Sequence, residues 1–293
     1  MKVLHDEPLK KHTSFRVGGP AKVFAIPADE EELQKLIAFL HEESLPFYIL
    51  GNGTNLLVSD EGVDRVVVEI GKNLDQLTLL KEEGDTVTFR ALAGTLLGKT
   101  ASYAAKHHLT GMEALRGIPG TVGGAVTMNA GAYGTEIKDV LVSADVLTEK
   151  GELRTLSAEE LDLGYRHSII PEENYIVVSA VFRLKKGDDD AIQAAMQDFQ
   201  QRRQDKQPLD KPSAGSTFKR PEGYFAGKLI EDTGLRGFRH GGAMVSEKHC
   251  GFVVTDGPAT AREIYWLIGE IRKRVLLEQG VELTPEVKLW GKF

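Results

Sequence analysis

Gly117-Ile118-Pro119-Gly120-Thr121-Val122-Gly123-Gly124-Ala125-Val126-Thr127-Met128-Asn129-Ala130-Gly131-Ala132-Tyr133-Gly134 is the stretch on which the reading of this chain turns. Six glycines and three alanines fall within these 18 residues, a composition that is poor at building a core by itself. Backbone carrying so little side chain suits a place where main chain must approach a flat or bulky ligand closely. A flexible linker is the bland alternative. Linkers are polar, however, and Ile118, Val122, Val126 and Met128 argue for burial. A ligand cradle is therefore the expectation.

A second glycine segment, Gly51-Asn52-Gly53-Thr54-Asn55, follows the strand pattern Phe47-Tyr48-Ile49-Leu50. Its spacing invites a dinucleotide fingerprint, but Leu56 stands where the third glycine belongs, and Leu56-Leu57-Val58 continues as a strand rather than a helix. A Gly/Asn turn can still present N–H groups to an anion without a helix. Gly94-Thr95-Leu96-Leu97-Gly98-Lys99-Thr100 imitates a phosphate-binding loop with three residues between its glycines where four are needed. It reads instead as the start of a helix from about Thr95 to His107 that buries Leu96 and Leu97.

The rest of the chain frames these segments. At 293 residues the length suits about two domains. A net charge of −7 disfavours nucleic acid or an acidic membrane as general partners. No run has the apolar length of a membrane span, and Met1 to Glu7 holds no signal-peptide pattern, so a reducing cytoplasm is the expected setting. The single cysteine, Cys250, precedes Gly251-Phe252-Val253-Val254 and reads as a buried thiol at a strand start. His107, His108, His240 and His249 lack metal-ligand spacing, so no metal is expected.

Asp29 caps a helix whose Leu33, Leu36, Ile37 and Leu40 recur at helical spacing. Strands are expected at residues 65–70, 86–91, 140–147, 176–184 and 251–255. After Lys185-Lys186-Gly187 comes an amphipathic helix with Ile192, Ala195, Met196 and Phe199 on one face, ending in a polar stretch from Gln201. A short helix around Phe225 to Asp232 and a long one from Ala261 to Gln279, closed by Gly280, complete the chain. Many strands with few helices indicate an α+β class. Residues 202–220 hold six basic residues against two acidic ones, a local excess that suits an anionic ligand such as a diphosphate.

Three further segments are suggestive in polarity: Gly164-Tyr165-Arg166-His167-Ser168, Gly215-Ser216-Thr217-Phe218-Lys219 and Pro285-Glu286-Val287. Taken in order with the two glycine segments, they resemble the UDP-N-acetylenolpyruvoylglucosamine reductase family of flavoenzymes. The resemblance runs from Gly51 to Val287. It implies a two-subdomain FAD-binding domain of the vanillyl-alcohol-oxidase type over residues 1–190, with subdomains of about 1–93 and 94–190. A smaller α+β substrate domain over 191–285 would follow, and a tail over 286–293 would return to the first subdomain.

The same resemblance implies non-covalent FAD. Covalent attachment uses His or Cys, and neither glycine loop contains one. FAD would be held by Gly51, Asn52, Gly53, Thr54, Asn55, Ile118, Pro119, Gly120, Thr121, Gly123 and Gly124, with Ala130, Gly131 and Ala132 near the flavin. NADPH would deliver hydride to flavin N5, which would pass it to the enolpyruvyl double bond of UDP-N-acetylglucosamine-enolpyruvate. Arg166 would face the substrate carboxylate with its fixed fork of donors. Glu286 would polarise the same carboxylate, and Ser216 would protonate the carbanion. Tyr165, Lys206, Lys219 and Arg220 are candidates for substrate contacts, and Arg220 or His240 for the diphosphate.

Thr54 and Thr121 stand where the family often has serine, which keeps the hydroxyl. Residues 176–184 lead directly into Lys185 without the tyrosine-bearing insertion of the longer branch. Arg220 replaces that branch's asparagine. Two other readings of the same residues are a different FAD-dependent oxidoreductase and a non-catalytic flavin electron-transfer module.

Overall fold

Asp29 opens the first helix by accepting the Glu32 N–H on its carboxylate at 2.8 Å. The first turn, Glu30 to Glu32, is acidic, which complements the helix dipole. The computed structural model describes all residues from Met1 to Phe293. Its helices are α1 (Glu30–Glu42), α2 (Leu97–Lys106), α3 (Val122–Thr127), α4 (Asp189–Lys206), α5 (Ala226–Asp232) and α6 (Ala261–Gln279). Strands outnumber helices and pair mainly antiparallel, as the α+β reading expects. The chain forms two compact units. Unit 1 holds Met1–Leu4, Phe24–Asn52 and Val66–Arg203, and unit 2 holds His5–Val23, Gly53–Arg65 and Gln204–Phe293.

Unit 1 is built on an antiparallel sheet in the order Leu153–Ser157, Leu141–Leu147, Ile176–Lys186, Thr86–Leu92, Leu77–Glu83, with Leu109–Thr110 also paired to the third of these. Ile176–Lys186 is central, which explains why residues 176–180, apolar but for Ser179, are all buried. Thr86–Leu92 alternates, turning Val87, Phe89 and Ala91 inward. Phe182 lies opposite Phe89 in the ladder, their ring centroids 5.7 Å apart. Leu33, Ile37, Leu97, Ala101, Val122 and Val126 join these rings in one core. Phe47–Leu50 pairs in parallel with residues 66–69.

A polar cluster fastens α1 to the inner strands of the sheet. Arg90 donates to Glu30 at 2.5 Å and to Ser179 at 2.9 Å, while Ser179 and Thr155 each donate to Asp145 at 2.7 Å.

In unit 2, α6 lays Ile264, Leu267, Ile268 and Ile271 into a core with Phe15, Leu57, Phe218, Ile230 and Val245. A three-stranded antiparallel sheet runs Arg239–His240, Ala243–Val245, Val253–Thr255. Leu56–Val58 pairs in parallel with Lys288–Trp290. Cys250 is buried two residues before Phe252, and burial pushes its thiol pKa up.

Two local expectations need correcting. Leu96 is 44% exposed, because the helix begins one residue later and Leu96 is its N-cap; Leu97 alone turns inward. The polar stretch after Gln201 is still helix, since α4 runs to Lys206 and puts Arg202, Arg203 and Lys206 on a helical surface. The long glycine segment contains the short helix α3, although glycine is a poor helix former. Thr121 caps it, and buried Val122, Ala125 and Val126 offset the glycines.

α6 starts with a reciprocal cap. Thr260 Oγ1 accepts the Glu263 N–H, and the Glu263 carboxylate accepts the Thr260 N–H at 2.9 Å and the Gly242 N–H at 3.3 Å. The Thr260 N–H leads in holding the Glu263 pKa below its ordinary value. A depressed folded pKa means stability that is present above the unfolded pKa of about 4.3 and lost as pH falls through the folded one. We predict that Thr260→Ala lowers unfolding free energy by about 1 kcal/mol in urea titrations while Thr260→Ser keeps it. Glu263→Gln should flatten the decline of stability below pH 5; an unchanged acid limb would contradict the cap.

Candidate functional site

The sequence-predicted site residues are distributed over both units. In unit 1, Gly51 and Asn52 leave the end of Phe47–Leu50. Asn52 Nδ2 donates to Pro119 O at 2.6 Å. A β-carbon on Gly51 would stand 2.6 Å from Thr121 Oγ1, closer than atoms tolerate. The two glycine segments, far apart in sequence, therefore meet side by side. Around the Ile118–Thr121 turn, Gly120 O accepts the Leu97 N–H at 2.9 Å and the Val122 N–H donates to Thr95 O at 2.8 Å. Thr121 Oγ1 caps α3 by accepting from Gly124 N–H at 3.4 Å. Gly123 donates to Ala93 O at 2.8 Å, and a β-carbon there would come within 2.9 Å of Ala93 Cβ. Gly124 differs: it is exposed, and the nearest atom to a β-carbon would be Thr121 Oγ1 at 3.6 Å.

Past α3 the chain turns through Asn129 and Ala130 into a tight hairpin. Gly131–Ala132 pairs with Thr135–Glu136, and Tyr133 and Gly134 at the tip both have positive φ, 52° and 90°. Left-handed geometry at both tip residues matches the twist of two paired strands. The Tyr133 ring stacks on Phe199 of α4 at 5.0 Å. Arg203, one helical turn further, packs its side chain against Gly117, where a β-carbon would lie 2.8 Å from Nη1. Burial holds its pKa below the ordinary arginine value.

Tyr165 and Arg166 occupy the tip of a second turn in unit 1. Gly164 and His167 exchange N–H to O bonds at 3.2 Å across it. Arg166 sits at φ 55°, and its guanidinium lies 5.1 Å from the Tyr165 ring centroid. His167 Nε2 is 3.1 Å from Asp162 Oδ2 and Nδ1 is 3.6 Å from Glu172 Oε1.

Unit 2 brings the remaining polar segments together. Phe218 bridges Pro285 in antiparallel fashion. Glu286 N–H donates to Thr217 O and Lys219 N–H to Thr284 O, each at 2.8 Å. Thr217 is fully buried and is fixed in turn by Gly251 O and the Val253 N–H. Ser216, exposed, and Glu286, half-buried, thus stand on adjoining segments. Asn55 joins them: its Nδ2 donates to Glu286 O at 3.2 Å and its carbonyl accepts the Lys288 N–H at 2.9 Å. Gly53 O receives the Ser14 N–H at 3.1 Å, and Thr54 lies half-buried between Gly53 and Asn55.

The basic stretch divides. Arg202 pairs with Asp198 at 2.8 Å and Lys211 with Asp256 at 3.0 Å, so these two cations already have protein partners. Lys206 is exposed at the end of α4. Arg220 lies over the Phe225 ring at 4.0 Å, and the His240 ring stacks on Trp266 at 3.9 Å.

Sequence reasoning passed over Asn129, Ser168 and Arg203 as individuals. Asn129 and Ser168 are buried at 0% and 1% exposure, although both residue types usually face water. Their partners lie 35 and 41 residues away, beyond any local pattern.

Comparison with known proteins matches residues 21–157 to the FAD binding domain family. Residues 207–290 match the C-terminal domain of UDP-N-acetylenolpyruvoylglucosamine reductase. The reductase of that name from Agathobacter rectalis is 52% identical, over 99% of this chain and 95% of its own. The one from Caldanaerobacter subterraneus is 50% identical, over 99% and 94%. Among solved structures, the UDP-N-acetylenolpyruvylglucosamine reductase of Thermus caldophilus superposes with a TM-score of 0.82 at 36% identity, covering 99% of this chain and 98% of that one.

The Gly51–Thr121 contact is testable as a coupling. Gly51→Ala should destabilise the protein more in the presence of Thr121 than beside Thr121→Ala, giving an interaction of about 0.5–3 kcal/mol in a double-mutant cycle read by urea unfolding. Simple additivity would show that the two glycine segments do not press on one another.

Proposed function

The chain belongs to the UDP-N-acetylenolpyruvoylglucosamine reductase family, and from that premise we propose how its own residues carry the reaction. It is an FAD-dependent oxidoreductase that uses NADPH to reduce the enolpyruvyl double bond of UDP-N-acetylglucosamine-enolpyruvate, yielding UDP-N-acetylmuramate for peptidoglycan precursors. The residues present fit the cofactor: the two glycine segments abut, with no room for a β-carbon at Gly51 or Gly123 and an open, side-chain-free face at Gly124. Bound FAD supplies the hydride relay between NADPH and the substrate's terminal carbon. The backbone of Gly51 to Asn55 and of Ile118 to Thr121 holds its diphosphate, and Gly123, Gly124 and Ala130 to Ala132 line its approach.

The observation that carries the catalytic assignment is the bond from Glu286 N–H to Thr217 O. It sets the backbone of Glu286 beside the segment bearing Ser216. Hydride arrival at the terminal carbon leaves negative charge spread over the neighbouring carbon and its carboxylate. Arg166 neutralises that carboxylate with paired N–H donors, and Glu286 shares a hydrogen bond with it. The Ser216 hydroxyl then donates a proton to the carbon bearing the carboxylate. A carbanion is basic enough to take it, and the Lys219 ammonium stabilises the alkoxide left behind. Tyr165, Lys206 and Arg220 make the outer contacts to the UDP-sugar.

Residues 1–190 form the FAD-binding part, residues 191–285 the substrate part, and the 286–293 tail completes the first. No helix is long and apolar enough to cross a membrane, and a cytoplasmic setting suits a reaction between NADPH and a UDP-sugar.

Ser216→Ala tests the assignment. Flavin bleaching by NADPH should survive, while re-oxidation by the enolpyruvyl UDP-sugar should slow by about 10²–10⁴-fold. Unchanged re-oxidation would remove Ser216 from the reaction. A second variant probes the cradle. Gly124→Ala has room in the protein itself, so the apoprotein's melting midpoint should hold, whereas FAD affinity should fall by about tenfold or more. Undiminished FAD affinity would move the cofactor away from α3.

A further inference from the structure

Asn129 is fully buried and adopts φ 42°, a left-handed conformation that asparagine tolerates better than most side chains. Its Nδ2 donates to Gly164 O at 2.8 Å and to Glu136 Oε2 at 3.0 Å, and its Oδ1 accepts the Lys138 N–H at 3.0 Å. Three of its four hydrogen-bonding positions are therefore filled. Ser168, also buried, donates in the opposite direction, to Thr127 O at 2.7 Å. The segment that leaves α3 and the turn that carries Arg166 are thus locked by two buried side-chain bonds, one given by each.

The locked atoms bracket Arg166: Gly164 precedes it by two residues, and Ser168 follows it by two. Arg166 itself sits at φ 55°, a conformation that a branched-chain-free but bulky side chain holds only when its surroundings impose it. Gly164 and His167 close the turn beneath it. On the other side of the lock, Asn129 is joined directly to Ala130-Gly131-Ala132.

We propose that Asn129 and Ser168 are positioning residues. They hold the guanidinium of Arg166 in register with the Ala130–Ala132 strand, so that the carboxylate of the substrate is gripped at the correct place relative to the flavin. This rests on the reading of Arg166 as the carboxylate ligand, and the experiment separates the two. Neither residue touches the reacting atoms; their action passes through the geometry of the turn. Misplacement of a binding group by about 1 Å is enough to slow a reaction by as much as about 10²-fold.

The test compares Ser168→Ala, Asn129→Gly and Arg166→Lys in the full-length holoenzyme. Asn129→Gly keeps the backbone conformation available while deleting all three bonds, and Ser168→Ala is the milder change should the first fold poorly. Under anaerobic stopped flow, flavin reduction by NADPH should stay within about twofold for Ser168→Ala and Asn129→Gly. Re-oxidation by the enolpyruvyl UDP-sugar should slow by about tenfold or more, with a raised KM for that substrate. A second readout does not depend on turnover: amide hydrogen exchange at residues 165–167 of the Ser168→Ala apoprotein should quicken by about tenfold while the Ile176–Lys186 strand keeps its protection.

If Arg166→Lys impairs re-oxidation but neither Asn129→Gly nor Ser168→Ala does, the positioning role is overturned and the Arg166 reading stands. If Arg166→Lys re-oxidises at the normal rate, both fall. A loss of both half-reactions in proportion to a lowered melting midpoint would make the two bonds merely structural.

Discussion

Thr121 has almost no free space around its hydroxyl, and much of unit 1 is arranged about that fact. Its oxygen caps α3 and lies where a side chain on Gly51 would have to go. Asn52 reaches over the same turn to Pro119. A loop that ends one strand is thereby welded to the start of a short helix from a distant part of the chain. Glycine at 51 and 123 is the structural condition for this, because the backbone there comes as near to its neighbours as backbone can. The proposed cofactor site follows from this: two glycine-bearing segments lie against each other, with Gly124 of α3 exposed beside them.

Such a cradle needs a stiff support. The sheet beneath supplies it, with residues 176–180 of its central strand buried and the Phe89–Phe182 pair at its centre. Interiors packed at this density transmit small displacements rather than absorbing them. In unit 2 the support is different. Buried Thr217 ties its own segment to Gly251, Val253 and Glu286 at once, so the exposed Ser216 is carried on a backbone with few freedoms. The segments bearing the proposed groups Arg166 and Ser216 are therefore held by polar side chains that are themselves buried.

What could be read from the chain beforehand follows a physical division. α1 and α6 announce themselves, because Asp29, Thr260 and Gly280 are local signals and the apolar spacing between them is regular. α3 does not, because glycine is a poor helix former and only tertiary burial of Val122, Ala125 and Val126 carries it. Leu96 misleads for a related reason: shifting the helix start by one residue turns one leucine out and its neighbour in. The family was legible through the glycine loops, the segments of Arg166, Ser216 and Glu286, and the order of those segments. Asn129 and Ser168 were not, since nothing near them in sequence reveals the carbonyls of Gly164 and Thr127 that they satisfy.

The most direct test of the whole account is the visible spectrum of the purified wild-type protein under anaerobic conditions, followed through two additions. The account predicts a yellow protein that NADPH bleaches and that the enolpyruvyl UDP-sugar then restores to yellow without oxygen. A protein that binds FAD and is bleached by NADPH but is left reduced by the UDP-sugar would contradict the assigned reaction. A colourless protein that takes up no added FAD would contradict the glycine cradle on which that reaction depends.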